Sequence, residues 1–446
     1  MESDSGEVSP LAAMVAGARA VAMAPLWTRA AVGALFLLTL AMLPYGRSGP
    51  DDGGSLLAPL TVDSGALFRT RKGADFFSVY DAGARLLAGR DPYGVNTDTG
   101  KEGLRAPYVA TFRYLPIAAA LLAAPLNILP PWPAFHAWTA LGVAMVVVNF
   151  LLCCGRRPDR VALMAMIWFA WFPAIAEFHM GQFTLAMATL MLWGVDALRS
   201  GRAWGAWAWA GAVVIKVYPI AMAPSLFLWG RRGSVAATVL VVVGSTLAWR
   251  AFVPSAMEEG LVNRGIAGRI VGTSRVPYAG AMGVQAMTGA AAWRAMGRGM
   301  NPAAEYDAIP AMRDAAAWAN AAVLAAFAGA CAWALWRTRR AYSLEALALF
   351  WLAWFYAYVD CWEHHYLLMQ ALLGLLVAWR VIDWRVALVC WASAGAPSMW
   401  WLWQRSGYSG NAVAEALGMM YFLQRPVSVL LLTVVLLRRI ARGTSS

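Results

Sequence analysis

Charged residues are scarce in this chain, and their scarcity argues against most soluble folds. Only 13% of the 446 residues are Asp, Glu, Lys or Arg, whereas 61% are hydrophobic. Soluble globular domains carry about a quarter charged residues, so a large soluble core would lack the polar surface to cover it. Apolar runs long enough to cross a bilayer recur from Ala30 to Leu437. The sequence therefore predicts an all-α, polytopic membrane protein.

Several short motifs of soluble chemistry are also missing. The sequence has no P-loop, glycine-rich dinucleotide fingerprint, serine nucleophile elbow or His-Glu-x-x-His motif, so soluble nucleotide chemistry is not supported. The N-terminus carries acidic residues where a cleaved signal peptide has a basic region. No Cys-x-x-Cys pair occurs, so neither a disulfide framework nor a zinc site is predicted. We expect buried structural thiols at Cys153, Cys154, Cys331, Cys361 and Cys390.

The charge that is present is mostly basic, and it suits a membrane surface. The formal net charge is +12, and arginines follow many apolar segments, as the positive-inside rule describes. A nucleic-acid partner needs a basic surface with groove-reading elements, and no such block occurs in the sequence. Many of the 24 Trp lie near the ends of predicted spans, as in an interfacial aromatic belt.

One integral-membrane domain accounts for nearly the whole chain. About 10–12 transmembrane helices are predicted from the apolar runs, and the first covers about residues 29–45. Internal repeats are not evident in the sequence. The predicted parts are a cytoplasmic tail at 1–28, the membrane domain at 29–440 with large extracytoplasmic loops at 46–111 and 253–311, and a cytoplasmic tail at 441–446.

Placing all of the arginine clusters in the cytoplasm fixes a topology. Two proline-broken segments, Phe112–Pro131 and Trp204–Trp229, are then hairpins rather than simple spans. Irregular backbone at membrane depth requires a wet cavity or a cover of protein, so both hairpins are candidate site walls. In a competing topology both segments are full spans, and Arg156 and Arg199 lie outside the cytoplasm. The favoured topology pairs the spans 161–178 with 182–199, 234–252 with 312–336, 344–359 with 364–379, and 386–403 with 419–437.

An acidic residue opens an amphipathic pattern over residues 75–88. Apolar residues recur there at helical spacing, which predicts a short helix lying in the membrane interface after the first span. Asp75 fits the N-cap of that helix, because an Asp side chain accepts bonds from free N–H groups. It also fits a general base beside a membrane-embedded substrate.

Three basic side chains lie at or inside apolar segments. An unpaired lysine at the depth of Lys216 costs about 2.5–3.5 kcal/mol on insertion scales. This lysine either snorkels to the interface or binds an anion, for which phosphate is the natural partner. His364 and His365 open another span, either as neutral structural residues or as functional groups. Asp75 and Asp360 could join them around a metal ion, but no spacing demands one, and no metal site is predicted.

Two weaker signals complete the candidate residues. Gln182 follows a glycine at the start of a span, where close backbone approach and a helix N-terminus favour an anion. Arg113 stands between two aromatic residues at the entry of the first hairpin, as an interface anchor or as a contact for developing negative charge. In the favoured topology, Gln182 gathers with Asp75 and the two histidines on the outer face.

With these residues identified, the chain resembles glycosyltransferase family 87, the polyprenol-phosphate-dependent mannosyltransferases within the GT-C superfamily. The resemblance runs in family order across about residues 70–370, and its short segments are more specific together than singly. The segments are Asp75-Phe76-Phe77-x-Val79-Tyr80-x-x-Gly83, Leu87-x-Gly89-x-Asp91-Pro92-Tyr93, Phe112-x-Tyr114-x-Pro116, Gly181-Gln182, Ala210-Gly211, Ile215-Lys216-x-Tyr218-Pro219, Arg231-Arg232 and Trp362-Glu363-His364-His365.

The resemblance implies a GT-C-like fold and an inverting sugar transfer with Asp75 as the catalytic base. It implies a polyprenyl monophosphate donor used on the extracytoplasmic face, with His364 or His365 near the donor phosphate. Mannose is the sugar that the resemblance favours, while another hexose or arabinose stays open. The residues predicted to bind the donor phosphate or substrate are Lys216, His364, His365, Arg113, Gln182 and Tyr80.

The leading hypothesis is therefore a membrane hexosyltransferase that moves a hexose from a polyprenyl-phosphate donor to the hydroxyl of a lipid-linked or glycan acceptor. We expect it in the plasma (inner) membrane, with an extracytoplasmic active site, no required cofactor and no nucleic-acid partner. One alternative is a transporter or flippase of a lipid-linked or anionic solute, which predicts internal pseudo-symmetry. Another is a non-catalytic partner in envelope assembly.

Overall fold

Helices account for all of the regular secondary structure in the described part of the chain. Of the residues that the computed structural model describes, 81% are helical and none is in a strand, so the predicted all-α fold is confirmed. The described residues are 8–44, 55–57, 60, 72–90, 92, 112, 114–252, 282–295, 310–339, 343–358, 361–407 and 411–443.

The chain runs through α-helices that short turns join or interrupt. In the described ranges, the helices of six or more residues are α1 (Pro10–Met23), α2 (Leu26–Ala41), α3 (Ala74–Leu87), α4 (Pro131–Arg156), α5 (Val161–Phe169), α6 (Ala174–Met180), α7 (Thr184–Arg199), α8 (Gly205–Ile215), α9 (Ala223–Leu228), α10 (Arg232–Phe252), α11 (Val284–Ala295), α12 (Pro310–Thr338), α13 (Leu344–Ala357), α14 (Leu367–Ala378), α15 (Trp384–Cys390), α16 (Trp400–Arg405) and α17 (Ala412–Ala441). Tighter 3₁₀ turns lie at Pro158–Arg160, Tyr218–Met222 and Glu363–Tyr366, and wider π turns lie at Ala119–Ala123 and Trp391–Gly395.

Several helices have the length and composition of membrane spans. Within the described ranges, α4, α12 and α17 each contain a long enough apolar stretch to cross a bilayer alone. Two bent pairs, α1 with α2 at 115° and α5 with α6 at 47°, raise that number to five if each pair is one span. Helices α8 and α13 and the part of α10 from Arg232 to Ser245 are apolar but shorter. The multi-helix membrane fold is therefore confirmed, and the figure of about 10–12 spans stays a prediction.

The predicted spans coincide with helices, but some contain breaks. The segment 161–178 is divided between α5 and α6, with Pro173 as the N-cap of α6. The segment 386–403 is not one helix, because a π turn and then Pro397 separate α15 from α16. Proline breaks a helix because it has no N–H and its ring collides with the preceding turn.

The predicted cytoplasmic tail contains a helix, α1, that the sequence analysis did not identify. It packs very closely along α4. A Cβ on Gly17 would meet the Leu151 carbonyl oxygen at 1.9 Å, and a Cβ on Gly155 would meet the Ala13 oxygen at 1.7 Å. Two helices approach this closely only where small residues face each other.

Both proline-broken segments are interrupted in the structure. Residues 116–126 form a helical stretch of about 16 Å, well short of the roughly 30 Å hydrocarbon core. In the second segment α8 ends at Ile215. The chain turns after it, as shown by the hydrogen bond that the Trp209 indole N–H donates to the Pro219 carbonyl at 2.7 Å. Ten residues of straight helix would separate those positions by about 15 Å. These breaks favour the hairpin interpretation, and the course of both segments relative to the bilayer stays a prediction.

Candidate active site

Helix α3 carries Asp75, and the way the helix begins places its carboxylate. The N-cap is Gly73, in the left-handed conformation with φ of 76°, so Asp75 is the second residue of the helix. The interpretation of Asp75 as the N-cap is therefore wrong. The predicted short helix is confirmed, but most of it, from Phe76 to Gly83, is buried within the protein. The Gly73 N–H donates to the His179 carbonyl at 2.7 Å and ties the start of α3 to α6.

A second glycine brings the turn after α6 against α3. Gly181 ends α6 in the left-handed conformation with φ of 63°. A Cβ at this position would lie 2.6 Å from the Cβ of Phe76 and 2.9 Å from the ring of Phe135. Glycine avoids both the backbone strain and the collision. The next residue, Gln182, can therefore reach the first turn of α3.

The side-chain amide of Gln182 links the carboxylate of Asp75 to the ammonium of Lys216. Its Nε2 donates to Asp75 Oδ2 at 2.5 Å, and its Oε1 accepts from Lys216 Nζ at 2.8 Å. An amide has one donor end and one acceptor end, so the acid and the cation each meet the end that suits them. Asp75 is half-buried. Three residues predicted from distant parts of the sequence thus come together in one chain of contacts.

Lys216 lies at the break after α8, where it is half-buried. Its Nζ also donates to Thr184 Oγ1 at 2.8 Å, and it lies 5.9 Å from the ring centroids of both Tyr114 and Tyr218. The C-terminal end of a helix carries partial negative charge that favours a cation. A lysine ammonium has three N–H donors. Two of them go to Gln182 and Thr184, so within the described part of the chain one is left that could meet an anion.

A second carboxylate, Glu177, faces the same lysine, and it was not among the predicted site residues. It is 3% exposed, and its charge interacts with those of Lys216 and Asp75. Its Oε1 accepts the Leu185 N–H at 2.6 Å, at the N-terminal end of α7. The carboxylate also hydrogen-bonds with the side chain of Thr184, and a cavity of about 10 Å³ lined by Glu177 has room for one water molecule. Lys216 is therefore held among oxygen atoms and near two carboxylates.

The two predicted histidines lie in the turn that precedes α14, and both are buried. His365 Nδ1 accepts the Trp362 backbone N–H at 2.9 Å. In a neutral ring the proton is then on Nε2, which becomes a donor. The ring centroids of His364 and His365 are 4.2 Å apart. The His365 ring lies 5.9 Å from the Tyr218 ring, and the Tyr218 ring centroid in turn lies 5.9 Å from Lys216 Nζ. The histidines therefore belong to the same site as Asp75, Gln182 and Lys216.

An aromatic stack lines the site beside His365. The ring centroids of Tyr218 and Trp354 are 3.5 Å apart, and those of Trp354 and Tyr358 are 3.9 Å apart. Three buried polar atoms here have no hydrogen-bond partner among the residues that the structure describes: the Tyr218 hydroxyl, Trp354 Nε1 and His364 Nδ1. Buried polar atoms are paired in the great majority of cases. Three unpaired atoms beside a half-buried lysine therefore mark a place for a polar ligand or for water.

The remaining predicted site residues are placed differently. Tyr80 is fully buried, and its hydroxyl donates to the Leu129 carbonyl at 2.9 Å, which is a packing position within α3. Its part in substrate binding stays a prediction. Arg113 lies outside the described residues. Its neighbour Tyr114, which was not predicted as a ligand, donates its hydroxyl to Gln182 Oε1 at 3.3 Å.

Neither the acidic and histidine side chains nor the thiols form a metal site in the described ranges. Within the described ranges, no three His, Cys, Asp or Glu side chains gather as metal ligands, and Asp360 lies outside those ranges. The five cysteines are buried and form no disulfide with one another, as predicted. They therefore lie in the packed interior as small apolar side chains.

Comparison with protein families assigns the chain. A family model described as glycosyltransferase family 87 matches residues 112–359, which is more than half of the sequence. The chain belongs to glycosyltransferase family 87. The match contains Gln182, Thr184 and Lys216, whereas Asp75 and the two histidines lie on either side of it. Comparison with curated proteins and with solved structures gave no match.

Family membership and the helices together define the activity in outline. The protein is a multi-pass membrane glycosyltransferase, which uses a sugar donor and an acceptor. Its all-helical, multi-span architecture is consistent with a GT-C-like fold. The enzyme hypothesis is the one that this assignment supports, in preference to a transporter or a non-catalytic partner.

Proposed function

We propose that this glycosyltransferase moves a hexose, with mannose favoured by the family resemblance, from a polyprenyl-phosphate donor to an acceptor hydroxyl. The acceptor is a lipid-linked sugar or a glycan, and the transfer inverts the anomeric configuration on the extracytoplasmic face of the plasma membrane. The observation that carries the proposal is the contact chain from Asp75 through Gln182 to Lys216. It provides a base and an anion-binding cation that one amide holds apart.

Inversion in a single step requires the base and the leaving group on opposite sides of the anomeric carbon. Asp75 takes the proton of the acceptor hydroxyl while that oxygen forms its bond to the anomeric carbon. The bond from that carbon to the phosphate oxygen breaks, and its electron pair leaves with the polyprenyl phosphate. The interposed amide of Gln182 supports this arrangement, because it leaves the carboxylate and the ammonium separated by the width of a side chain.

The leaving phosphate would be stabilised by hydrogen-bond donors of Lys216 and His365. The third N–H of Lys216 and the Nε2–H of His365 are available for phosphate oxygens, since the other polar atoms of both side chains are occupied. Fixed donors aimed at developing negative charge are an effective source of rate enhancement. His364, Tyr218 and Trp354 supply unpaired polar atoms for the rest of the donor headgroup. Arg113 is a further candidate from the sequence.

The proposal is tested by the purified protein in lipid nanodiscs with radiolabelled polyprenyl-phosphate mannose. Membranes from cells that lack the chain supply the acceptor, and extracted product is counted. Asp75→Asn keeps the shape of the side chain but removes the base, so we expect kcat to fall about 10³-fold. Transfer by the unmodified chain together with full activity of Asp75→Asn would rule out the assigned base.

A matched control exists on the same helix. Asp81 is 1% exposed and lies six residues after Asp75 in α3, and Asp81→Asn makes the same chemical change. We expect Asp81→Asn to keep normal transfer per folded molecule, as judged after size-exclusion chromatography. An equal loss of transfer in both variants would mean that α3 needs its carboxylates for folding rather than for catalysis.

A further inference from the structure

A fully buried ion pair joins the C-terminal helix to the turn that carries the histidines. Arg425 lies in α17 and is 1% exposed, and its partner Glu363 is 4% exposed. The guanidinium Nη2 donates to Glu363 Oε1. Residue 425 is outside the range that matches the family model, 112–359. Glu363 is the first residue of the turn that contains His364 and His365.

The same guanidinium reaches a second element. Its Nη1 donates to the carbonyl of Ala394 and, at 3.1 Å, to that of Ala396, and its Cζ lies 5.8 Å from the ring centroid of Tyr366. Arginine can bridge these groups because its planar fork offers five donors in fixed directions. Arg425 thus holds the histidine turn on one side and the segment after α15 on the other.

That segment in turn supports the other wall of the site. The Gly395 carbonyl accepts the Phe172 N–H at 2.8 Å, and the Trp391 indole N–H donates to the Ala170 carbonyl at 3.0 Å. Residues 170–173 are the break that leads into α6, which carries Glu177 and ends two residues before Gln182. Arg425 therefore connects the turn that carries the two histidines to the segment that leads into α6 and its carboxylate, Glu177.

Stability alone is a weak explanation for this pair. Removing two charges from water is costly, and well-packed apolar side chains of similar size often stabilise a protein as much as a buried ion pair does. The pair can instead fix the position of the turn, because its hydrogen bond is directional and Glu363 is adjacent to His364 and two residues before His365. The Trp362 backbone N–H donates a hydrogen bond to His365 Nδ1. The position of the turn therefore determines where the His365 ring lies and where its Nε2–H points.

We propose that Arg425, acting through Glu363, is a positioning residue that holds His365 against the leaving phosphate. This inference rests on the proposed function. Displacement of a catalytic group by about 1 Å can lower the rate about 100-fold. We therefore expect Glu363→Gln, which keeps the size of the side chain but breaks the ion pair, to lower kcat about 100-fold. The KM for polyprenyl-phosphate mannose should change less than about threefold, because the lost interaction belongs to the transition state.

A double-mutant cycle separates positioning from a structural role. In a His365→Ala background the group being positioned is gone, so adding Glu363→Gln should lower kcat by less than about threefold further. The pair Glu363→Met with Arg425→Met removes both charges together and should restore the melting temperature in detergent without restoring kcat. Glu345→Gln is the matched control, since Glu345 is a buried carboxylate paired with Arg439 of the same helix α17 at 3.2 Å. Its kcat should be normal.

The outcomes distinguish the two proposals. If the unmodified chain transfers no sugar, the proposed function is wrong and this inference falls with it. If the unmodified chain is active and Glu363→Gln changes only the melting temperature, the positioning role alone is wrong. An equal loss of kcat from Glu363→Gln with and without His365 would also overturn it, as would recovery of normal kcat in the double methionine variant.

Discussion

Two polar clusters lie at opposite ends of the same pair of helices, α4 and α7, and their hydrogen-bonding patterns differ. At one end, Arg156 donates to both carboxylate oxygens of Asp196 at 3.0 and 2.7 Å, and the Trp379 indole N–H donates to the same carboxylate at 3.0 Å. At the other end, about 27 Å away along α4, Trp138 holds the Gln182 backbone carbonyl at 3.1 Å. There the amide of Gln182 stands between acid and cation.

The difference distinguishes a structural ion pair from the proposed active site, where an amide separates the acid from the cation. A bidentate arginine–carboxylate pair satisfies its own charges, and a tryptophan ring covers Arg156 with its centroid 4.8 Å from the guanidinium carbon. At the site end, the described residues instead give Lys216 Nζ two side-chain acceptors for its three donors and leave three buried polar atoms unpaired. Such spare bonding capacity has a cost unless a substrate or water uses it. The comparison predicts stability effects at one end and rate effects at the other.

The largest effect is expected at Lys216. Lys216→Met keeps the length of the side chain but removes the charge and the donors that face the leaving phosphate, so kcat should fall about 10³-fold, equivalent to about 4 kcal/mol of activation free energy. Steady-state transfer from polyprenyl-phosphate mannose measures it. Lys216→Arg keeps the charge but changes the donor geometry, and we expect partial activity. A fully active Lys216→Met would remove the lysine from the site.

The next largest effect is expected on the free energy of unfolding, at Asp196 at the other end of α4 and α7. Asp196→Asn leaves the largely buried guanidinium of Arg156 without its counter-charge, so the free energy of unfolding should fall by about 3–5 kcal/mol, while kcat per folded molecule stays normal. Unfolding in mixed micelles measures it. Asp159→Asn is the control, because its carboxylate is 52% exposed and paired with Arg157, and it should cost less than about 1 kcal/mol.

Gln182→Leu tests the spacer between acid and cation. A leucine fills the volume but offers neither the donor for Asp75 nor the acceptor for Lys216, so both groups lose a defined position. We expect kcat/KM for the donor to fall about 30-fold, which is about 2 kcal/mol. Gln182→Glu should be at least as poor, because its charge repels Asp75. Normal kinetics in both variants would show that the bridge does not matter for transfer.

The smallest effect is expected at Thr184. Thr184→Val deletes the hydroxyl that accepts from Lys216 while nearly preserving shape, and loss of one such bond is worth about 1 kcal/mol, or about fivefold in kcat/KM. Thr189→Val is the control on the same helix, since Thr189 accepts from the Asn149 amide at 2.8 Å away from Lys216. A larger kinetic effect at Thr189 than at Thr184 would contradict the comparison.

The sequence was sufficient for those site residues that their surroundings make conspicuous. A lysine inside an apolar run and two histidines at the start of a span stand out because burial of such groups is costly, and the structure brings Lys216, His364 and His365 into one site. The helix over 75–88 was predictable from apolar spacing, and it is observed as Ala74–Leu87. Its burial was not predictable, because spacing indicates that a face is covered but not what covers it.

Other contacts depend on packing that no local pattern encodes. Glu177 faces Lys216 only because Gly181 lets the turn after α6 lie against α3, and a glycine in a sequence does not reveal what it will touch. Arg425 lies inside the predicted span 419–437, where a charged side chain is costly, but the sequence does not indicate which groups pair with it. Its partners, at 363 and 394–396, meet it only after the helices pack. Helix α1 was missed because its contact with α4 is made by small residues.

The orientation of one amide gives the site a direction. Gln182 presents its NH₂ to the carboxylate and its oxygen to the ammonium, and turning it over would set donor against donor and acceptor against acceptor. Under the proposed mechanism, this fixed amide keeps the base and the phosphate-binding cation from pairing with each other. A neutral side chain would then leave each charge available for its own reacting group.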